Sequence, residues 1–250
     1  MFSFGDENAV AICMAKAGVW PAAGPLLASL HPEERLYWDQ LKADKRKTAY
    51  LLGRHAAKLA AGCIAPTIPL DRMLIRPGLF QQPVLIHPEL ANRQVSISHT
   101  DRLAACLAFP EMVPAGIDIE EMLSEERSEL VKSYLMPGEL ELATAAGLPF
   151  REAATLLWTA KESLSKCLRT GLTTPLSVYE IDRVERAGRW IVGGFANFPQ
   201  YRAFSWLFRE AAMSIVLPIN CEHEPPDLYR LLEPDWTWRD GEHGSLDREC

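Results

Sequence analysis

Hydrophobic and polar residues follow two different periods along the chain, and these periods predict a mixture of helices and strands. Helical composition covers residues 32–40, 41–61, 124–134 and 150–169. The second of these segments is rich in alanine and leucine and is followed by Gly62 and Pro66, which are typical of helix ends. It carries six cationic side chains against one acidic residue, Asp44. The pattern therefore predicts a long cationic helix.

Strand-forming runs occupy much of the rest of the chain. Two short apolar runs, residues 95–98 and 103–109, flank the sequence HTDR and predict a hairpin. A third run, GIDIE, covers residues 116–120. Four more strand-like segments follow at 177–184, 189–195, 201–208 and 211–218. From about residue 221 the chain is rich in Pro, Glu and Asp, which is typical of a frayed or surface-laid tail.

Two segments of the chain resemble each other. Residues 51–70 and 156–176 both run from helical composition through a glycine to a Pro-Leu pair. A single similarity of this kind can arise by chance. If it reflects duplication, the chain forms two similar α+β lobes, and a cleft between them is a natural ligand site.

Composition narrows the class of protein. The 250 residues include 26 Lys and Arg against 33 Asp and Glu, a formal net charge of −7. This balance disfavours binding to nucleic acid, because phosphate affinity normally needs a surplus of cations. The six cysteines form no CxxC pair, so no compact zinc site is predicted. The acidic N-terminus and the prolines within residues 17–32 favour a soluble cytoplasmic protein with no membrane segment.

Two acidic residues lie two positions apart in the predicted strand 116–120. Asp118 and Glu120 therefore point to the same face. Adjacent carboxylates repel each other unless a cation lies between them, and oxygen ligands of this type suit Mg²⁺. The alternative is a solvated acidic strand end. The apolar neighbours of these acids make that alternative costly, since buried carboxylates need a partner.

A second group of charges lies on the predicted helix 150–169. Glu162 and Lys166 are four residues apart and share one helical face, with Lys161 adjacent to Glu162. An ordinary surface ion pair is the alternative interpretation. The helix is otherwise largely apolar, so we expect these charges at the edge of a core.

The sequence SISHT at 96–100 places Ser98 and His99 at the end of a predicted strand. This histidine is a candidate phosphate ligand, a general base, or an ordinary loop residue. Neither a GxSxG elbow nor a Walker loop nor GxGxxG accompanies it. Together, these groups supply three acids for one divalent cation and several cations for phosphates: Arg46, Arg54, His99, Lys161 and Lys166. That set is suited to a phosphoryl-type transferase acting on a polyphosphate nucleotide.

Four motifs give the chain its resemblance to a known family: GRHAAK at 53–58, SISHT at 96–100, GIDIE at 116–120 and WTAKESLSK at 158–166. In order and spacing they resemble the 4′-phosphopantetheinyl transferases of the larger, monomeric class. The resemblance implies two similar α/β lobes related by a pseudo-twofold axis, residues 1–114 and 115–250. It also implies antiparallel sheets with packed helices and an active site in the cleft between the lobes.

The resemblance implies an activity. Such enzymes transfer the phosphopantetheine arm of coenzyme A to a serine hydroxyl of an apo acyl or peptidyl carrier protein and release adenosine 3′,5′-bisphosphate. By position, the Mg²⁺ ligands would be Asp118, Glu120 and Glu162. The contacts to coenzyme A would be Arg46, Arg54, Ser98, His99, Lys161 and Lys166. The catalytic residues would be Asp118, Glu162 and Lys166, with Glu162 or a metal-bound water as the base.

Two positions depart from the family pattern or leave a role open. Gln82 stands where the family often has a lysine that approaches the nucleotide. Glu139 falls where the family tends to carry another acid, but an acid at a helix N-terminus is the simpler interpretation. Two other functions remain: an inactive module that binds coenzyme A or a nucleotide, and a structural protein with ordinary ion pairs. The sequence does not identify the carrier protein.

Overall fold

The computed structural model describes residues 10–17 and 24–221, so the tail predicted from about residue 221 lies almost entirely outside the described residues. The helices are α1 Gly24–Ala28, α2 Pro32–Gln40, α3 Asp44–Ile64, α4 Glu125–Lys132, α5 Glu139–Ala145 and α6 Phe150–Cys167. The strands of the first half are β1 Ala11–Lys16, β2 Leu74–Pro77, β3 Pro83–Ile86, β4 Arg93–His99 and β5 Leu103–Pro110. Those of the second half are β6 Gly116–Glu121, β7 Ile181–Ala187, β8 Trp190–Phe195, β9 Tyr201–Leu207 and β10 Ala211–Pro218.

The two halves repeat one order of elements: a strand, helices, and then four strands. In the described residues the strands form sheets of order β1-β5-β4, β6-β10-β9-β8-β7 and β2-β3. In each half the first strand pairs antiparallel with the last, and the last pairs antiparallel with the one before it. The predicted α+β class with antiparallel sheets and packed helices is therefore confirmed. The predicted boundary between residues 114 and 115 falls between β5 and β6.

The long helix of each half is held by a buried ion pair of the same design. Glu34 lies 2.6 Å from Lys58 on α3, and Glu139 lies 2.7 Å from Lys161 on α6. Each carboxylate also accepts two backbone N–H bonds, from His31 and Ile75 in the first half and from Met136 and Ile181 in the second. All four charged side chains are buried. Since a buried charge needs a partner, these pairs fix α3 to α2 and α6 to α5, and each carboxylate also ties in a strand, β2 or β7.

Three large apolar clusters and a smaller one of Leu123, Val131 and Ala154 account for the packing of the described residues. One joins α3 to the inner face of β1, β4 and β5, and another joins α6 to the second sheet. A third cluster lies between the halves and includes Leu107 of β5 with Ile117 and Met213. Because residues alternate between the faces of a strand, Ile117 faces this third cluster while Asp118 faces α6. None of the helices in the described ranges has the length and apolarity needed to cross a membrane.

Strands β4 and β6 lie side by side where the halves meet. The hydroxyl of Ser96 accepts a bond from the backbone N–H of Ile117 at 3.2 Å. Further along the seam, Arg169, which follows α6, donates to the side chain of Gln94 at 2.8 Å. The motif SISHT on β4 is thereby placed beside the motif GIDIE on β6.

Candidate active site

Asp118 is the innermost charged residue of the seam. Its residue surface is only 1% exposed. Oδ1 accepts a bond from the hydroxyl of Ser98 at 2.7 Å and another from the ammonium of Lys166 at 2.6 Å. Oδ2 is buried and has no hydrogen-bond partner among the described residues. Three sequence motifs therefore meet at a single carboxylate, one oxygen of which is open to a further partner.

A glycine lets α6 approach β6 closely enough for this contact. A Cβ on Gly116 would overlap the carbonyl oxygen of Ser163 and lie 2.7 Å from the backbone nitrogen of Cys167. Only a residue without a side chain allows the two backbones to meet at that distance. The Gly of GIDIE thus sets the depth at which α6 lies over Asp118. A glycine inside a strand pattern is the signal that would have indicated this approach.

One face of α6 carries the helix side of the site. Trp158, Glu162 and Lys166 follow one another at intervals of four residues and so lie along one stripe. Burial raises the pKa of Glu162 to about 7, and the neighbouring charge of Asp118 adds to the effect. The charge of Glu120 acts in the same direction, whereas Lys166 opposes it. The three acids predicted from the sequence are therefore close enough to share one electrostatic environment.

Glu120 has partners that the sequence did not predict. Burial and the charge of Asp118 raise its pKa. The positive charge of Arg127 on α4 and a hydrogen bond from the side chain of Trp158 act against that rise. The four-residue spacing of Trp158 and Glu162 was the available signal for a role of the tryptophan.

Asp118, Glu120 and Glu162 have the chemistry of a metal site, but their side chains are not arranged around a single point. Across residues 10–17 and 24–221, no three His, Cys, Asp or Glu side chains are arranged closely enough to enclose a metal ion. The Lys166 ammonium instead lies against Asp118. A hard divalent cation would nevertheless give Oδ2 of Asp118 the partner that it lacks. It would also offset the repulsion by which Asp118 and Glu120 raise the pKa of Glu162. The residues present therefore fit Mg²⁺, with Oδ2 of Asp118 as the open ligand atom and Lys166 on Oδ1 of the same carboxylate.

His99 and Arg54 extend the site into the first half. Gly53 of α3 faces β4, where a Cβ would lie 3.4 Å from Ile97 and 3.9 Å from the His99 ring. Partial desolvation lowers the pKa of His99, and the charges of Lys166 and Arg54 lower it further. Arg54 itself lies over the ring of Tyr50 and 3.7 Å from Glu34. An imidazole, a hydroxyl and one cation, Arg54, thus line the first-half side of the seam.

Two other predicted positions in the first half stand apart from this group. Arg46 is exposed, and no contact joins it to the residues described above. Its neighbour Lys45 pairs with Asp101, in the turn after His99, at 2.6 Å. Gln82 lies in the turn between β2 and β3, where its side chain accepts a bond from the backbone N–H of Phe80.

Lys161 lies on a different side of α6 from the acids, which contradicts its predicted position at the pyrophosphate. Its ammonium is fully buried and pairs with Glu139, and it also donates to the carbonyl of Leu176 at 3.2 Å. One residue of helix corresponds to a rotation of about 100°, so the residue next to Glu162 need not face the same way. Glu139 is likewise more than an acid at a helix N-terminus, since it is the buried partner of Lys161.

Comparison with known proteins agrees with the motifs. Residues 114–216 match the family model of the 4′-phosphopantetheinyl transferase superfamily. The predicted resemblance is therefore confirmed over this segment. It contains β6, α6 and the acids of the site.

Two curated proteins that are similar to this chain have the same name. The chain is 38% identical to enterobactin synthase component D of Escherichia coli O157:H7 over 128 residues, 49% of this chain and 54% of that protein. It is 32% identical to enterobactin synthase component D of Salmonella typhi over 160 residues, 59% of this chain and 62% of that protein. The chain thus spans little more than half the length of the curated relatives it matches.

A solved structure also resembles the chain. It is a holo-(acyl-carrier-protein) synthase from Bacillus anthracis in complex with CoA (3′,5′-ADP). The identity is 21% and the TM-score is 0.37, over 40% of this chain and 93% of that chain.

Proposed function

We propose that the protein is a 4′-phosphopantetheinyl transferase. It transfers the phosphopantetheine arm of coenzyme A to a serine hydroxyl of an apo acyl or peptidyl carrier protein, in a Mg²⁺-dependent reaction that releases adenosine 3′,5′-bisphosphate. The observation that carries this proposal is the meeting of Asp118, Lys166 and the raised-pKa Glu162 at the junction of the two halves. The superfamily match over residues 114–216 supports it.

The donor is bound by groups from both halves. Ser98, His99 and Arg54 line the first-half side of the seam, where His99 and Arg54 offer an imidazole and a guanidinium to phosphate oxygens and the Ser98 hydroxyl donates to Asp118. Lys166 is the cation on the second-half side, and its side chain is 27% exposed. Arg46 remains a proposed contact to the nucleotide end, reached through its long and exposed side chain. Lys161 is left out of this set because its ammonium is buried against Glu139.

Asp118, Glu120 and Glu162 are the residues that would hold the divalent cation. When bound, that cation supplies positive charge that stabilises the pyrophosphate oxygens during transfer. Trp158 and Arg127 hold Glu120 at the site through a hydrogen bond and a favourable charge.

Proton transfer is assigned to Glu162. Burial and the charge of Asp118 raise the pKa of Glu162 to about 7 when no cation is bound, and a bound cation would lower it. In the proposed reaction it takes the proton of the carrier serine as the hydroxyl oxygen attacks the β-phosphorus of coenzyme A. The bond from that phosphorus to the bridging oxygen breaks, and Lys166 stabilises the charge on the departing bisphosphate.

We further propose that the enzyme acts as a cytoplasmic monomer. Cys106, Cys167 and Cys221 are free thiols, which is in keeping with a reducing compartment.

The direct test of the function is an intact-mass measurement on the carrier. The protein is incubated with apo acyl or peptidyl carrier proteins, coenzyme A and Mg²⁺. A carrier that gains the mass of phosphopantetheine, with stoichiometric release of adenosine 3′,5′-bisphosphate, supports the proposal. Binding of coenzyme A without any gain in carrier mass, across a panel of carriers, would instead indicate an inactive binding module.

A further inference from the structure

The contact between Lys166 and Asp118 has a consequence for metal binding. At 2.6 Å, the ammonium neutralises the carboxylate that the proposed metal would need most. A divalent cation at the unpartnered Oδ2 would lie on the same carboxylate as this ammonium, and the two positive charges would repel each other. Metal binding at Asp118 therefore favours the departure of Lys166.

The two partners differ in their freedom to move. The side chain of Asp118 is 2% exposed and its Oδ1 also receives the Ser98 hydroxyl, so it stays in place. The side chain of Lys166 is 27% exposed. Its four-carbon stem allows the ammonium to swing without a change in the helix. Lys166 is thus the mobile member of the pair.

The oxygens of a bound polyphosphate would be the new partners of the Lys166 ammonium. Ser98 and Lys166 donate to the same oxygen of Asp118, so Ser98 and the adjacent His99 on β4 place anion-binding groups of the first half beside the ammonium. A pyrophosphate bound among Ser98, His99 and Arg54 would offer the ammonium new oxygen partners and release Asp118. Metal binding would do the reverse and release Lys166 to the pyrophosphate.

We propose that Lys166 is the resident counter-ion of Asp118, and that its exchange couples metal binding to binding of the pyrophosphate-containing donor. The inference rests on the proposed function, because it assumes that both ligands use this site. Coupling of two binding equilibria is reciprocal, so the donor strengthens metal binding by the same factor as the metal strengthens donor binding. If Lys166 only contacted the pyrophosphate, its replacement would not change the affinity for the metal when the donor is absent.

The experiment measures Mn²⁺ binding by electron paramagnetic resonance on the full-length protein, with and without coenzyme A and with no carrier. Wild type is compared with Lys166→Met and Lys166→Gln, and with Lys132→Met, which removes an exposed lysine of α4. Without coenzyme A, both Lys166 variants are expected to bind Mn²⁺ roughly 5-fold or more tightly than wild type, and coenzyme A is expected to tighten binding mainly in wild type and Lys132→Met. Thermal unfolding with and without Mn²⁺ gives a second readout, in which added metal raises the Tm of the Lys166 variants most.

Failure of this inference is distinguishable from failure of the proposed function. If wild type binds Mn²⁺ in a manner that Asp118→Asn abolishes, but the Lys166 variants bind it no more tightly, the metal site stands and the counter-ion role is wrong. If Asp118→Asn binds Mn²⁺ as wild type does, or if no variant binds it with or without coenzyme A, the proposed metal site is wrong and the counter-ion role with it.

Discussion

Gly116 and Ser163 are 47 residues apart in the chain, yet their backbones are so close that a methyl group on Gly116 would overlap the carbonyl oxygen of Ser163. This approach brings α6 against β6 and therefore Lys166 against Asp118. Gly116→Ala is expected to lower the free energy of unfolding by about 1–3 kcal/mol or more, because backbone atoms cannot yield as a flexible side chain does. Urea unfolding measures the change.

Gly24→Ala is the matched control, because a Cβ at that position has no atom within 4 Å. It should change the free energy of unfolding by no more than about 0.5 kcal/mol. Equal stability of the two variants would show that α6 does not approach β6 as closely as described.

Lys161→Met tests the position of the lysine next to Glu162. It leaves Glu139 buried without its cation, so a loss of about 3–5 kcal/mol in stability is expected. Glu139→Gln in the same chain should restore part of that loss. The affinity of the folded fraction for coenzyme A, measured by calorimetry, should be unchanged. A stable variant with weakened coenzyme A binding would instead return Lys161 to the pyrophosphate.

His55 makes stability depend on pH. Burial lowers its pKa from 6.5 to about 4, and the charge of Lys58 contributes. Above pH 6.5 the ring is neutral in both the folded and unfolded states and adds nothing. Between pH 6.5 and 4 the unfolded chain binds a proton that the folded chain does not, so stability falls by about 3 kcal/mol over this range.

The measurement is urea unfolding from pH 7.5 to 4 on wild type and His55→Gln. The variant cannot titrate at this position, so its stability should fall less steeply than that of wild type below pH 6.5. Parallel curves for the two proteins would show that His55 is not held neutral in the folded state.

Arg54→Ala is expected to weaken coenzyme A binding roughly 10-fold to 100-fold, as for the loss of one charged contact. Arg186→Ala is the control, since Arg186 lies on β7, at the opposite edge of the sheet from β6. Calorimetric titration with coenzyme A compares the two. Equal affinities would remove Arg54 from the donor site.

The sequence predicted the helices and strands that follow from local hydrophobic patterns. It did not predict the side-chain contacts between segments that are distant in the chain. The hairpin around residues 100–102 and the strand 116–120 were readable, because apolar alternation and turn residues are local signals. The orientation of Lys161 was not, since spacing along a helix gives a direction but not the buried Glu139 that attracts the ammonium. The link between Trp158 and Glu120 required the packing of α6 on β6, which rests on Gly116.

The central claim is that one face of β6 carries the reaction, and neighbouring residues on that strand test it most directly. Glu120 belongs to the proposed metal set, whereas Glu121 is exposed and points to the opposite face. The measurement is the rate of phosphopantetheine transfer to an apo carrier by Glu120→Gln and Glu121→Gln, each verified as folded. Glu120→Gln should lose roughly 100-fold or more in rate, and Glu121→Gln should stay near wild type. Equal rates for the two variants would contradict the account.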